Sequence, residues 1–128
     1  MTSRDGFTLI ELMLVVVIVG LLAAIAMPRL SRVRERTYIT VMRSDLRNFV
    51  NAEESYFYDF AVYTADPARV VPRGFTMSAD VSLRVNEATS TGWSATTSHA
   101  ATPVQCYIFL GSAAPLGSAS KEGVLDCS

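Results

Sequence analysis

From Phe7 to Met27 the chain runs for twenty-one residues with a single charged side chain, Glu11. At about 1.5 Å of rise per residue, a helix of that length covers about 30 Å, the hydrocarbon thickness of a bilayer. The segment is therefore a candidate membrane-spanning helix. A cleaved secretory signal has a basic leader, a shorter apolar core and a small-residue cutting site after that core. Here the polar leader is only six residues long and the apolar run passes straight into an amphipathic pattern, so any cut belongs ahead of the hydrophobic segment.

Glu11 is out of place in such a segment. An ionised carboxylate early in a lipid-facing helix costs about 3 kcal/mol unless it has a partner. Cleavage between Gly6 and Phe7 creates one, a new α-amino group that is charged at neutral pH and lies one helical turn away. The amine of the same chain satisfies the demand, but so does the amine of a neighbouring copy, and in that case each subunit completes the next and ordered stacking in lipid is favoured. Residue chemistry alone equally allows a Glu11 that stays hydrated or protonated near the interface.

The run Gly6-Phe7-Thr8-Leu9-Ile10-Glu11-Leu12-Met13, with Gly20 and Pro28 inside and just beyond the apolar stretch, resembles the N-terminal signature of type IV pilins and of the related pseudopilins of type II secretion. The resemblance covers about the first thirty residues and its motif is highly specific. It implies cleavage by a prepilin peptidase on the cytoplasmic side after Gly6, N-methylation of Phe7 with its charge kept, and assembly guided by Glu11 through a neighbour's N-terminus. It also implies that the helix can open between Gly20 and Pro28 when subunits assemble.

With 128 residues in all, about a hundred lie outside the leader and the apolar segment, enough for one compact lobe. A formal net charge of -1 argues against a dedicated nucleic-acid binder. Charge is locally uneven, because Arg29, Arg32, Arg34, Arg36, Arg43 and Arg47 face only Glu35 and Asp45 in the stretch after the apolar run. The positive-inside rule applied to those flanks would keep the C-terminal lobe in the cytoplasm. Against it stand Cys106 and Cys127, which either close a C-terminal loop of about twenty residues in an oxidising compartment or remain two buried thiols. The family resemblance implies the disulfide, and with it a lobe on the periplasmic side.

After Pro28 the apolar residues Leu30, Val33, Tyr38, Val41, Met42, Leu46, Phe49, Val50, Phe57 and Phe60 fall mostly at steps of three and four, so one helix is expected from Phe7 to about Phe60. Pro28 removes a backbone donor and marks a place to bend or open. Pro67, Pro72 and Gly74 punctuate a loop between Ala61 and Ala79. Strands are expected near Val81 to Asn86, Trp93 to Ser98, Gln105 to Leu110 and Gly123 to Asp126. The expected class is α+β: a long N-terminal helix, membrane-spanning in its first half, packed on a small antiparallel sheet of about four strands, the pilin fold. The parts are a leader (1–6), a membrane or filament-core helix (7–28), the amphipathic half of that helix (29–60) and a β head (61–128). Asp45-Leu46-Arg47-Asn48, Glu53-Glu54-Ser55-Tyr56-Phe57 and Gly92-Trp93-Ser94-Ala95-Thr96 are similar to stretches in pilin-like proteins with small heads.

Little else suggests chemistry. His99 has no cysteine or carboxylate close in sequence, and neither a phosphate-cradling loop nor a paired-carboxylate motif is present, so no catalytic residue, cofactor or metal is expected. Asp80, Glu87, Glu122 and Asp126 read as solvated acids rather than a calcium site. Phe49, Tyr56, Phe57, Tyr58, Phe60 and Tyr63 read as core packing rather than a path for electrons. Eight hydroxyl residues between Thr89 and Thr102 read as solvated strand and turn rather than glycosylation sites.

The functional expectation is a structural subunit and not an enzyme: a pilin held in the inner membrane, then polymerised with copies of itself and related pilins on an assembly platform into a fibre for motility, adhesion or DNA uptake. The alternatives are a pseudopilin of type II secretion, whose periplasmic fibre pushes substrates outward, and a minor pilin with a binding head.

Overall fold

The structure is a computed structural model and describes residues 6–128. Two units make up the chain, Met1–Arg34 and Glu35–Ser128. Helix α1 (Leu9–Phe60) supplies most of the first unit and opens the second; a 3-10 helix (Pro67–Arg73) and four strands follow, β1 (Val81–Ala88), β2 (Gly92–His99), β3 (Thr102–Gly111) and β4 (Asp126–Cys127).

Among the described residues of the first unit every large apolar side chain is exposed, from 47% at Ile18 to 90% at Phe7. A helix that is apolar on all sides and unburied has no stable place in water, and this one is long and apolar enough to cross a membrane. Leu30 and Val33, expected on the amphipathic face, belong to this exposed set.

Glu35–Ser128 has its own core. Met42, Leu46, Phe49, Ala52 and Tyr56 recur at three- and four-residue steps along α1 and pack with Val70, Phe75, Val81, Trp93, Ala95, Cys106 and Ile108. Phe49 sits at the centre, edge-on to Trp93 (ring centroids 5.3 Å apart) and to Phe75 (5.2 Å). The sheet is antiparallel in the order β1-β2-β3-β4. Along β2 the pleat sends Trp93, Ala95 and Thr97 into this core. On the opposite face Phe109, Ala113 and Ala119 form a second, smaller cluster under the segment that follows β3. Where β2 begins, Gly92 lies so close to β3 that a Cβ would come 2.5 Å from the Leu110 carbonyl oxygen, which excludes any other residue.

The expected helix, loop and four-stranded sheet are all present, with three differences. The loop after α1 is not irregular throughout: Asp66 accepts from the Ala68 N–H, Pro67 opens a 3-10 turn, and Gly74 closes it in the left-handed conformation (φ 85°). The first three strands run beyond the expected bounds at one or both ends. The fourth lies later than expected, at Asp126–Cys127 rather than Gly123 to Asp126, because the chain is still turning at Gly123 (φ 71°) and comes into register with β3 at Tyr107 opposite Asp126 and Cys106 opposite Cys127.

Candidate functional site

Gly6 and Phe7 precede α1, which begins at Leu9 and not at Phe7. The reason is a reciprocal cap. Glu11 Oε2 accepts from the Thr8 backbone N–H (2.9 Å) and the Thr8 hydroxyl (2.8 Å), while Thr8 Oγ1 accepts from the Glu11 N–H (3.3 Å). Thr8-Leu9-Ile10-Glu11 is thus a capping box, a pattern legible in the sequence but not read there. The carboxylate is therefore not bare within its own chain, and its bonds to Thr8 fall on a single oxygen. Residues 1–5, with most of the expected leader, lie outside the described residues. Gly20 and Pro28 both lie within α1, whose backbone stays helical through them. A Cβ at Gly20 would meet nothing within 4 Å, so its small size serves no contact inside the chain.

In the second unit two further carboxylates stand out. Asp45 and Glu53 belong to the buried stripe of α1, at 3% and 0% exposure. Each captures backbone at one end of the loop between α1 and β1. Asp45 accepts from the Ser78 N–H and hydroxyl, both at 2.9 Å, and Glu53 Oε2 accepts from the Thr64 N–H at 3.0 Å. Among the described residues Glu53 Oε1 has no hydrogen-bond partner. Burial pushes the Glu53 carboxyl up to about 7, helped by the charge of Glu54 and opposed by the Thr64 N–H. In the sequence Asp45 is one of two acids among the arginines and Glu53 carries no signal of this role, since their partners lie 33 and 11 residues away.

Cys106 and Cys127 are joined in a disulfide that ties β3 to β4, and Arg43 Nε donates to Cys127 Sγ at 3.2 Å. His99 stacks on Tyr38 (ring centroids 4.4 Å apart) and its Nδ1 accepts from the Ala101 N–H, a role in holding a turn. Glu122 accepts from the Gly111 N–H and Glu87 from the Ala114 N–H. Among the described residues no group of three or more metal-ligating side chains comes together. Phe49 and Tyr56 are buried in the core, whereas Tyr58 is 90% exposed. Arg73 pairs with Asp59 (2.7 Å) and lies over the rings of Tyr56 and Phe60.

These features define a class: a subunit with a capped, lipid-compatible helix at its front and a small disulfide-closed α+β head. Comparison with known proteins narrows it. The model of the prokaryotic N-terminal methylation motif matches residues 1–27. Over 94 residues the chain is 33% identical to the type IV wide pilus major component PilA4 of Thermus thermophilus, covering 73% of this chain and 72% of that one. It is 47% identical over 55 residues to a fimbrial protein of Pseudomonas aeruginosa, 43% of this chain and 36% of the relative. It is also 38% identical over 61 residues to the type II secretion system core protein G of the same species, 48% of this chain and 43% of that protein. The chain belongs to the type IV pilin family.

Proposed function

We propose that this chain is the structural subunit of an extracytoplasmic type IV pilus, cut between Gly6 and Phe7 by a prepilin peptidase, N-methylated at Phe7, and assembled with copies of itself and related pilins through the first half of α1. Before assembly that half holds the subunit in the inner membrane with its head in the periplasm, where the Cys106–Cys127 bridge forms. In the fibre, the same apolar surface is buried against neighbouring helices, and Gly20 and Pro28 give the helix room to open locally. The observation that carries this reading is the exposed apolar helix with one carboxylate near its start. Glu11 keeps its cap through Oε2 and offers its other oxygen to the charged N-terminus of the next subunit. Motility, adhesion or DNA uptake then follows from extension and retraction driven by other proteins on the assembly platform.

Two variants test it. Gly6→Ala is expected to leave the chain uncut, and Glu11→Val to be cut but excluded from fibres. Normal fibres built solely from Glu11→Val subunits would refute the pairing. The second reading, a pseudopilin, is favoured by the similarity to core protein G. Electron microscopy separates the two, since a pilus gives long surface fibres at native expression and a pseudopilus gives none.

A further inference from the structure

The hydroxyl-rich run through β2 plays no part in assembly as described. Alternation that buries Trp93, Ala95 and Thr97 turns Thr96 and Ser98 to the face away from the core. Register then lines up two polar rows, Ser82 with Ser98 and Gln105 across three strands, and Arg84 with Thr96, Tyr107 and, at the far end from Arg84, Asp126 across four. A bulge between Val85 and Glu87 brings Asn86 alongside, where its Oδ1 accepts from the Thr96 hydroxyl at 2.8 Å. The Tyr107 hydroxyl donates to Gln105 Oε1 (3.1 Å), which fixes the orientation of that amide.

The segment after β3 raises a wall beside these rows. Gly117 (φ 56°) lies against the Tyr107 ring so closely that a Cβ would come 2.6 Å from its carbons, and Leu116 borders the result. Together they enclose a recess of about 380 Å³. That volume suits a small ligand. The lining carries guanidinium, amide and hydroxyl groups and no carboxylate. Among the described residues the Arg84 guanidinium has no ion pair or hydrogen bond.

We propose that this recess binds an acidic saccharide: Arg84 takes the sugar carboxylate, the face of Tyr107 supports the ring, and the side chains of Asn86, Thr96, Ser98 and Gln105 bond its hydroxyls. One guanidinium among neutral donors and acceptors matches a polyol with a single negative charge. A phosphate or nucleic-acid backbone calls for a denser set of cations. A site this shallow and polar binds weakly, on the order of millimolar. Repetition along a fibre, which rests on the assembly reading above, converts weak single contacts into firm attachment.

The test uses the full chain, isotope-labelled, in a detergent without sugar groups, titrated with sodium glucuronate while backbone amide resonances are followed. Expected are saturable shifts centred on Arg84, Thr96, Ser98 and Tyr107, with weaker responses to glucose and to inorganic phosphate. Arg84→Gln, an exposed position whose change leaves the rest of the spectrum in place, should weaken binding about tenfold. Shifts that arise elsewhere, a response to phosphate equal to that for glucuronate, or unchanged affinity in Arg84→Gln would overturn the proposal. Fibre formation is scored separately, so failure here leaves the assembly reading standing.

Discussion

Two carboxylates on α1 meet opposite surroundings. Glu11 closes a capping box at the start of an exposed apolar helix, while Glu53 is fully buried with one oxygen unpartnered. Glu53 titrates near 4.5 in the unfolded chain and near 7 in the folded one, so between those values the folded state holds a proton that the unfolded state has lost. Its contribution to stability is fully present below about 4.5 and is lost as pH rises towards 7, by on the order of 3 kcal/mol. Glu53→Gln is neutral at every pH, and its amide oxygen can still accept from Thr64. Chemical denaturation from pH 4 to 8 should therefore show the variant gaining on the wild type as pH rises, and a constant difference would contradict the buried proton. Glu11 was legible because a charge in an apolar run needs no structure to look anomalous. Glu53 was not, because an acid at a helical core position acquires meaning only when a distant backbone N–H is folded against it.

Elements show the same division. The helix end at Phe60 and the first three strands follow from local period and turn chemistry, and the order β1-β2-β3 follows from short hairpin connections. The 3-10 turn has its signals in Pro67 and Gly74, which taken alone mark only a loop, and in its cap Asp66, which gains meaning once its side chain accepts from the Ala68 N–H. The placement of β4 depends on the pairing of Cys127 with Cys106, which spacing alone left open. Because that bridge closes the segment from β3 to β4, replacing both cysteines by serine should lower stability by about 3 kcal/mol in equilibrium denaturation. Phe49→Ala should cost about 3–5 kcal/mol, since it empties the space between Trp93 and Phe75. A loss below about 1 kcal/mol for Phe49→Ala would mean that the core is not centred where the rings place it.

For the molecule as a whole, the first unit carries the property that makes a subunit of a fibre, and the second unit carries what each subunit presents. Among the described residues of Met1–Arg34 nothing covers the apolar surface of α1, which suits it to burial in lipid and, on the assembly proposed above, against neighbouring helices. The signature around Gly6, Phe7 and Glu11 was legible at once because it is a local motif, whereas the recess on the sheet emerged only when strand register brought Arg84, Thr96 and Tyr107 into one row. The proposed assembly rests on a new N-terminus made at Phe7 and then used in the fibre. Intact-mass analysis of the subunit in fibres sheared from cells tests it most directly. A chain that begins at Phe7, carries one N-methyl group and retains the disulfide is expected; fibres whose subunits still contain residues 1–6 would overturn the assembly reading.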